Sequence, residues 1–145
     1  MSGTAFRRPR RSVTLTDEAQ AAAGLRALAK IAEQWGLPAA DAMALLGVES
    51  RSTYYELLKR ARESRELKGL SKDQLDRLSY VVGIYESLRV LFPHSKETRD
   101  GWVSRPNTST TFGGKPPLDV MRCGMIGLYQ TFAHLASVRG TGIIA

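Results

Sequence analysis

Apolar residues recur every three or four positions along most of the chain, and this spacing is the strongest constraint on its fold. In the segment TLTDEAQAAAGLRALAKIAEQWG the recurring positions are Ala21, Leu25, Leu28, Ile31, Ala32 and Trp35. Such a stripe places apolar side chains along one side of an α-helix, where another element must cover them. No segment shows a convincing alternation of apolar and polar residues that would predict a β-strand. The sequence therefore predicts an all-α fold.

Residues that start and stop helices divide the first half of the chain into three. Thr16 is the expected cap of the first helix, and Gly36 is expected to end it. Pro38 suits the first position of a second helix, PAADAMALL, which Gly47 ends. Ser50 is expected to cap a third helix, SRSTYYELLKRARES.

The helical pattern pauses at ELKGLSK, which predicts a boundary near residues 66–70. We accordingly divide the chain into three parts. Residues 1–12 are expected to form a disordered basic arm, residues 13–68 a helix-turn-helix-like domain, and residues 69–145 a second helical domain that ends in a tail.

The second domain is predicted to begin with its longest helix, from a cap at Ser71 to a stop at Pro93. A short helix is expected within SKETRDGWV. Pro116 or Pro117 then starts a further helix, with a break expected near Gly124. The last seven residues, RGTGIIA, carry two glycines and are predicted to form a flexible tail.

Positive charge is concentrated at the beginning of the chain. The formal net charge is +7, and the segment MSGTAFRRPRRS holds four arginines and no acidic residue. A basic arm of this kind is attracted to polymers rich in phosphate, because neutralising each phosphate releases condensed counterions. Within it, Arg10 and Arg11 are candidates for following a DNA minor groove. The alternative is a solvated tail with no partner.

The inventory of reactive residues argues against an enzyme. Cys123 is the only cysteine, and His94 and His134 are the only histidines. Their spacing matches no known metal site, so neither a metal nor a cofactor is expected. A lone cysteine cannot form an internal disulfide, and no apolar run reaches the roughly 18 residues that a membrane helix needs. These features predict a cytoplasmic protein without a membrane segment.

The stretch PNTSTTFGGKPPLDVM interrupts the helices and raises the question of phosphate binding. A P-loop requires a serine or threonine after its glycine-lysine pair, whereas Gly114 and Lys115 are followed by two prolines. Prolines also lack the amide donors that would hold a phosphate. We therefore interpret the stretch as a turn, in which the glycines allow positive φ and Phe112 folds back onto the following helix.

The second and third predicted helices have the layout of a helix-turn-helix. In that motif the start of the second helix points into the DNA major groove. Arg51, Ser52, Thr53 and Tyr55 are then candidates for contact with bases or phosphates, and Lys59 for contact with the backbone. A single module of this size binds weakly, so useful affinity requires a dimer that reads two half-sites. The alternative is a helical hairpin that only packs.

The second domain resembles a known family through one series of residues. The series follows the pattern W...PN...FGG..PLD and comprises Trp102, Pro106, Asn107, Phe112, Gly113, Gly114, Pro117, Leu118 and Asp119. It is similar to the Xre/MbcA/ParS toxin-binding domain of antitoxins that are paired with RES-domain toxins. The resemblance covers roughly residues 70–145, and the preceding helix-turn-helix matches the order of parts in that family.

The resemblance implies a type II antitoxin. Antitoxins of this family bind a RES toxin that uses NAD, either as a hydrolase or as a protein ADP-ribosyltransferase, and they block its NAD pocket with their C-terminal segment. They are usually dimeric, form hetero-oligomers with the toxin, and often repress their own operon. In this chain the blocking segment would comprise Arg139, Gly140, Thr141, Gly142, Ile143, Ile144 and Ala145.

Three alternatives remain at this stage. The tail could be a frayed end without function. The chain could be a stand-alone transcriptional repressor whose second domain only dimerises, or a structural adaptor with no toxin. The sequence after the PLD motif, VMRCGMIGLYQTF, is basic and apolar where many relatives are glycine-rich and acidic. The path of the tail therefore stays open, and the longer second domain slightly favours a transferase as the toxin.

Overall fold

A computed structural model of the chain describes residues 15–141, and these residues form a bundle of α-helices without a β-strand. The prediction of an all-α fold is confirmed. A short 3-10 turn over Trp102–Ser104 follows the fifth helix. The helices are α1 (Leu15–Trp35), α2 (Ala39–Leu46), α3 (Arg51–Glu63), α4 (Lys72–Leu91), α5 (Lys96–Gly101), α6 (Pro117–Met121) and α7 (Met125–Thr141).

Side-chain caps define the start of α3 and α4 where the sequence predicts them. The hydroxyl of Ser50 accepts a hydrogen bond from the backbone N–H of Thr53, at 3.2 Å. Ser71 and Gln74 form a reciprocal capping box at the start of α4. The expected cap at Thr16 is wrong, because α1 already begins at Leu15. Pro38 precedes α2 instead of occupying its first turn.

One hydrophobic core runs through both halves of the chain. Helix α1 packs against α3 and α4, and α4 in turn packs against α7. The connection between α3 and α4 joins this core, since Leu67 and Leu70 are buried and the Leu67 N–H donates to the carbonyl of Glu18 at 2.9 Å. The segment at residues 66–70 is thus a break between helices whose backbone is packed against α1.

Helices α4 and α7 run in the same direction and approach each other closely at a glycine. Tyr80 lies 5.5 Å from the ring of Phe132 between centroids, and Ser87 receives a hydrogen bond from Arg139 at 3.1 Å. A Cβ atom on Gly83 would lie only 2.7 Å from the Phe132 ring. Gly83 therefore lets the aromatic ring fill the groove between the two helices.

A second close approach joins α7 to α6. Gly124 has a φ of 133°, a conformation that favours glycine, and it separates the two helices. The predicted break near this residue is confirmed. Just beyond it, a Cβ on Gly127 would lie 1.9 Å from the carbonyl oxygen of Val120. The absence of a side chain at Gly127 allows the backbone of α7 to contact the backbone of α6.

The described structure corrects the predicted start of the C-terminal tail. Helix α7 continues to Thr141, so Arg139, Gly140 and Thr141 are helical and do not belong to a flexible tail. The bond from Arg139 to Ser87 and the burial of Val138 explain why this last turn persists. Residues 142–145 and the basic arm at residues 1–12 lie outside the described residues.

The two glycines of α7 provide a matched test of this packing. Replacing Gly127 with alanine forces a methyl group against the Val120 carbonyl, so the free energy of unfolding should fall by about 2–3 kcal/mol. Replacing Gly140, which has no neighbour within 4 Å, should leave stability unchanged or raise it by up to about 1 kcal/mol through helix propensity. Urea denaturation of both variants measures the difference, and equal stabilities would contradict the close packing.

Candidate functional site

The helix-turn-helix is held in shape by its turn and by α1. The N–H groups of Gly47 and Val48 both donate to the carbonyl of Met43, at 2.9 and 3.0 Å, and Gly47 has a φ of 82°. This arrangement ends α2 and turns the chain into α3 within four residues. Val48 is buried, which fixes the turn against the core.

Helix α3 separates a packed face from an exposed face, as the sequence predicts. Its buried residues are Tyr54, Leu57, Leu58 and Ala61. The predicted DNA-contacting residues are all exposed and lie in the first nine positions of the helix: Arg51, Ser52, Thr53, Tyr55 and Lys59. Tyr55 has 51% of its surface exposed and contacts the ring of Tyr54 edge-on. The predicted partners Arg10 and Arg11 lie outside the described residues.

Two arginines, Arg26 on α1 and Arg60 on α3, have structural roles that sequence patterns do not indicate. Arg26 of α1 donates from one nitrogen to the carbonyls of Ala61 and Ser64, at 2.6 and 3.3 Å. Arg60 donates to the carbonyl of Lys68 at 2.9 Å. The bonds from Arg26 satisfy carbonyls at the C-terminal end of α3 and tie it to α1, and the bond from Arg60 ties α3 to the connection that follows it.

Tyr54 lies at the boundary between the two faces of α3. Burial raises the pKa of its phenol, and the neighbouring Tyr55 raises it further, while Arg62 acts in the opposite direction. The phenol therefore stays neutral throughout the physiological range and serves the core. Its position under Tyr55 supports the exposed ring that faces solvent.

The segment that carries the family motif is a closed turn, as the sequence predicts. Backbone hydrogen bonds bring its ends together. The N–H of Asn107 donates to the carbonyl of Lys115 at 3.1 Å, and the carbonyl of Asn107 accepts from the N–H of Gly114 at 2.8 Å. The Asn107 side chain also accepts from the N–H of Ser109, at 2.9 Å. Gly113 and Gly114 have φ angles of 59° and 88°, which only glycine adopts without strain.

Four of the nine motif residues are buried in the scaffold. Trp102, Phe112, Pro117 and Leu118 are buried, whereas Pro106 is exposed at the rim of the turn. The Trp102 and Phe112 rings meet edge-on with centroids 5.7 Å apart. The buried rings thus help to position α6 and α7.

His134 completes this aromatic cluster, although sequence reasoning assigned it no role. Its ring lies 5.0 Å from Phe112 and is stacked 6.3 Å from Trp102. Its Nε2 atom is buried without a hydrogen-bond partner. Burial lowers the pKa of His134, because the charged imidazolium would lose hydration in this apolar setting.

Asp119, the last residue of the motif, belongs to an ion-pair network on the surface. Arg122 donates to Asp119 at 3.0 Å and to Asp41 of α2 at 2.9 Å. The hydrogen bond to Asp41 is the main reason that the pKa of Arg122 is raised. The network links α6 to the helix-turn-helix, and a partly exposed network of this kind contributes little to stability but fixes orientation.

The described part of the predicted toxin-binding segment is the last turn of α7. Arg139 and Gly140 are exposed there, and the Arg139 guanidinium contacts Ser87 of α4. Gly142, Ile143, Ile144 and Ala145 lie outside the described residues.

Within residues 15–141, no three side chains among His, Cys, Asp and Glu come together in a way that could hold a metal ion. Across the same range, none of the helices combines the length and apolar character needed to cross a membrane.

Burial lowers the pKa of His134 in the folded chain, so the folded and unfolded states bind a proton at different pH and the free energy of unfolding depends on pH. The unfolded chain binds a proton near pH 6.5, whereas the folded chain binds it only at lower pH. Stability should therefore decrease as the pH falls from about 7.5 to 5.5. Thermal unfolding of the His134→Gln variant should show a smaller decrease, whereas His94→Gln, at an exposed position, should behave like the wild type. A titration by NMR that places the pKa of His134 above 6.5 would contradict this.

Comparison with known proteins gives two adjoining matches to family models. Residues 14–83 match the antitoxin Xre-like helix-turn-helix domain. Residues 87–140 match the antitoxin Xre/MbcA/ParS C-terminal toxin-binding domain. The chain is also similar to the uncharacterized protein y4oB of Sinorhizobium fredii, with 35% identity over 126 residues that cover 86% of this chain and 91% of that protein.

Proposed function

The chain belongs to the Xre/MbcA/ParS antitoxin family, and from this premise we propose that it neutralises a RES-domain toxin that uses NAD. In this proposal the C-terminal segment blocks the NAD pocket of the toxin, and the helix-turn-helix represses the operon that encodes both proteins. The toxin is an ADP-ribosyltransferase or an NAD hydrolase. Both activities belong to the cytoplasm, where NAD and operator DNA are present.

The observation that supports the proposal best is the order and completeness of the two antitoxin domains. Together their matches extend from residue 14 to residue 140 with only three residues between them. This combination of domains points to a regulatory protein that acts by binding. The W...PN...FGG..PLD motif, which resembles that of RES-paired antitoxins, supports the RES class of toxin.

The packing of α7 supports the blocking mechanism. Leu135 and Val138 are buried, and the bond between Arg139 and Ser87 holds the last turn against α4. The four residues that follow Thr141 therefore start from a fixed point, which reduces the entropy lost when they enter a pocket. Ile143 and Ile144 would then contribute apolar contact, at roughly 25 cal/mol for each Å² buried.

Removing residues 142–145 separates blocking from folding. All described residues of α7, to Thr141, remain in the shortened chain, so it should keep the helices of the described structure and their thermal stability. It should fail to protect cells that express the toxin, because the NAD pocket is left open. Growth after toxin induction measures the effect.

A full-length variant with both Ile143→Asp and Ile144→Asp should likewise fail to protect cells that express the toxin. The matched control is Val90→Asp, which puts a carboxylate in place of an exposed aliphatic side chain on α4 and should still protect. Full protection by the shortened chain would contradict blocking by this segment. It would move toxin neutralisation to another surface of the chain, whereas a full-length chain that fails to protect would favour the stand-alone repressor.

The exposed side of α3 supports the proposal that the chain binds operator DNA. Arg51 lies at the first position of the helix and Lys59 two turns later, so both can reach phosphates on either side of a major groove. The side chains of Ser52, Thr53 and Tyr55 lie between them and offer hydrogen-bond donors and an aromatic edge to the bases. Arg10 and Arg11 would add contacts in the neighbouring minor groove.

The Arg51→Ala variant should bind the promoter DNA of its own operon more weakly and with a smaller dependence on salt. A phosphate contact contributes about one unit to the slope of log affinity against log salt. The control is Lys115→Ala, which removes the same charge from an exposed loop on the second domain. Fluorescence anisotropy over a salt series measures both slopes. Identical slopes for the two variants would contradict the assignment of α3.

A further inference from the structure

Helix α7 carries an exposed face without charge that neither proposed activity uses. From Met125 to Val138 the helix has no Asp, Glu, Lys or Arg. Its outward positions recur at helical spacing, and Ile126 and Tyr129 are 72% and 52% exposed. We call this set of residues the uncharged face: Ile126, Tyr129, Gln130, Ala133, Ala136, Ser137 and Gly140.

The uncharged face differs from the rest of the surface. Charged residues make up 24% of the chain, and the exposed side of α3 alone carries Arg51, Glu56, Lys59, Arg60, Arg62 and Glu63. Charged residues are depleted at the centre of protein interfaces, while aromatic residues are enriched there. A helix face of about 25 Å with a half-exposed tyrosine and no charge is therefore typical of a contact surface.

The side chains of the uncharged face change in size along the helix. The large residues Ile126 and Tyr129 lie near its start, whereas Ala136, Ser137 and Gly140 leave a shallow groove near its end. A second α7 running in the opposite direction would place the large residues of each helix over the small residues of the other. Such a contact repeats itself under a two-fold axis, as most homodimer interfaces do.

We propose that the uncharged face is the homodimer interface of this protein, with the two α7 helices antiparallel and crossing at Ala133. The inference deepens the proposed function, since repression at two half-sites requires a dimer. The interface itself is argued from α7 alone.

Charges around the face fit the same arrangement. Each chain carries a formal charge of +7, so two copies repel unless their contact is neutral or complementary. Tyr80 lies beside Tyr129 and Ser87 beside Arg139, and this register places Asp76 near the Ile126 end of the face. The two-fold axis then brings Asp76 of one copy near Arg139 of the other. Because Lys72 already neutralises Asp76 at 2.6 Å, the contact depends on the neutral character of the face and not on a new ion pair.

Single cysteines test the direction of the two helices. In a Cys123→Ser background, Ala133→Cys lies on the axis and should give a disulfide-linked dimer on mild oxidation. Ser137→Cys should not form this dimer. Position 137 lies four residues from the axis in each helix, so the two substituted positions are about 12 Å apart along the helix direction. A disulfide requires Cα atoms within about 7 Å. Cross-linking at Ser137 as efficient as at Ala133 would overturn the antiparallel arrangement.

A matched pair of tyrosines tests the interface in solution. Tyr129 and Tyr55 are equally exposed, and each contacts another tyrosine edge-on. The interface is small, so we expect a dissociation constant on the order of 10 µM and measure sedimentation near 100 µM. The wild type and Tyr55→Lys should be dimers, and Tyr129→Lys a monomer that remains folded.

The remaining outcomes each decide the proposal. A monomeric wild type that still protects cells from the toxin would overturn the interface and leave the antitoxin function intact, with the toxin as occupant of this face. If the Tyr55→Lys variant were monomeric and the Tyr129→Lys variant dimeric, dimerisation would be assigned to α3, and the interface proposed on α7 would be overturned as well. Disulfide linkage of the Ala133→Cys variant, together with a wild type that fails to protect, would support the interface while contradicting the proposed function.

Discussion

The close packing of α7 against α4 and α6 is the contact on which the rest of the structure depends. It requires two glycines, because a side chain at Gly83 would meet Phe132 and one at Gly127 would meet the Val120 carbonyl. Through this contact the second half of the chain shares a core with the helix-turn-helix, since α4 also packs against α1. The direction of α7 thereby sets where the chain continues after Thr141.

The functional surfaces lie on the outside of this single core. The family motif contributes buried rings and a closed turn to the scaffold. In our proposal the exposed side of α3 binds DNA, the residues after α7 bind the toxin, and the outer face of α7 joins two copies. One rigid helix would then connect dimerisation with toxin binding.

Local rules predicted most helices but not the contacts between distant residues. The caps Ser50 and Ser71 and the break at Gly124 follow from short sequence patterns, and all three are present. The glycines in RGTGIIA wrongly indicated a tail from Arg139, because the bond that keeps the last turn helical reaches Ser87, 52 positions earlier. His134 was overlooked for the same reason, since its neighbours Trp102 and Phe112 meet it only in the folded chain.

The central claim is that this chain and NAD compete for one pocket in the toxin. The most direct measurement is the affinity of the full-length chain for purified RES toxin over a range of NAD concentrations, with a toxin variant that binds NAD without turning it over. The account predicts that the apparent dissociation constant rises in proportion to NAD once NAD exceeds its own dissociation constant. An apparent affinity that stays the same at saturating NAD would contradict it.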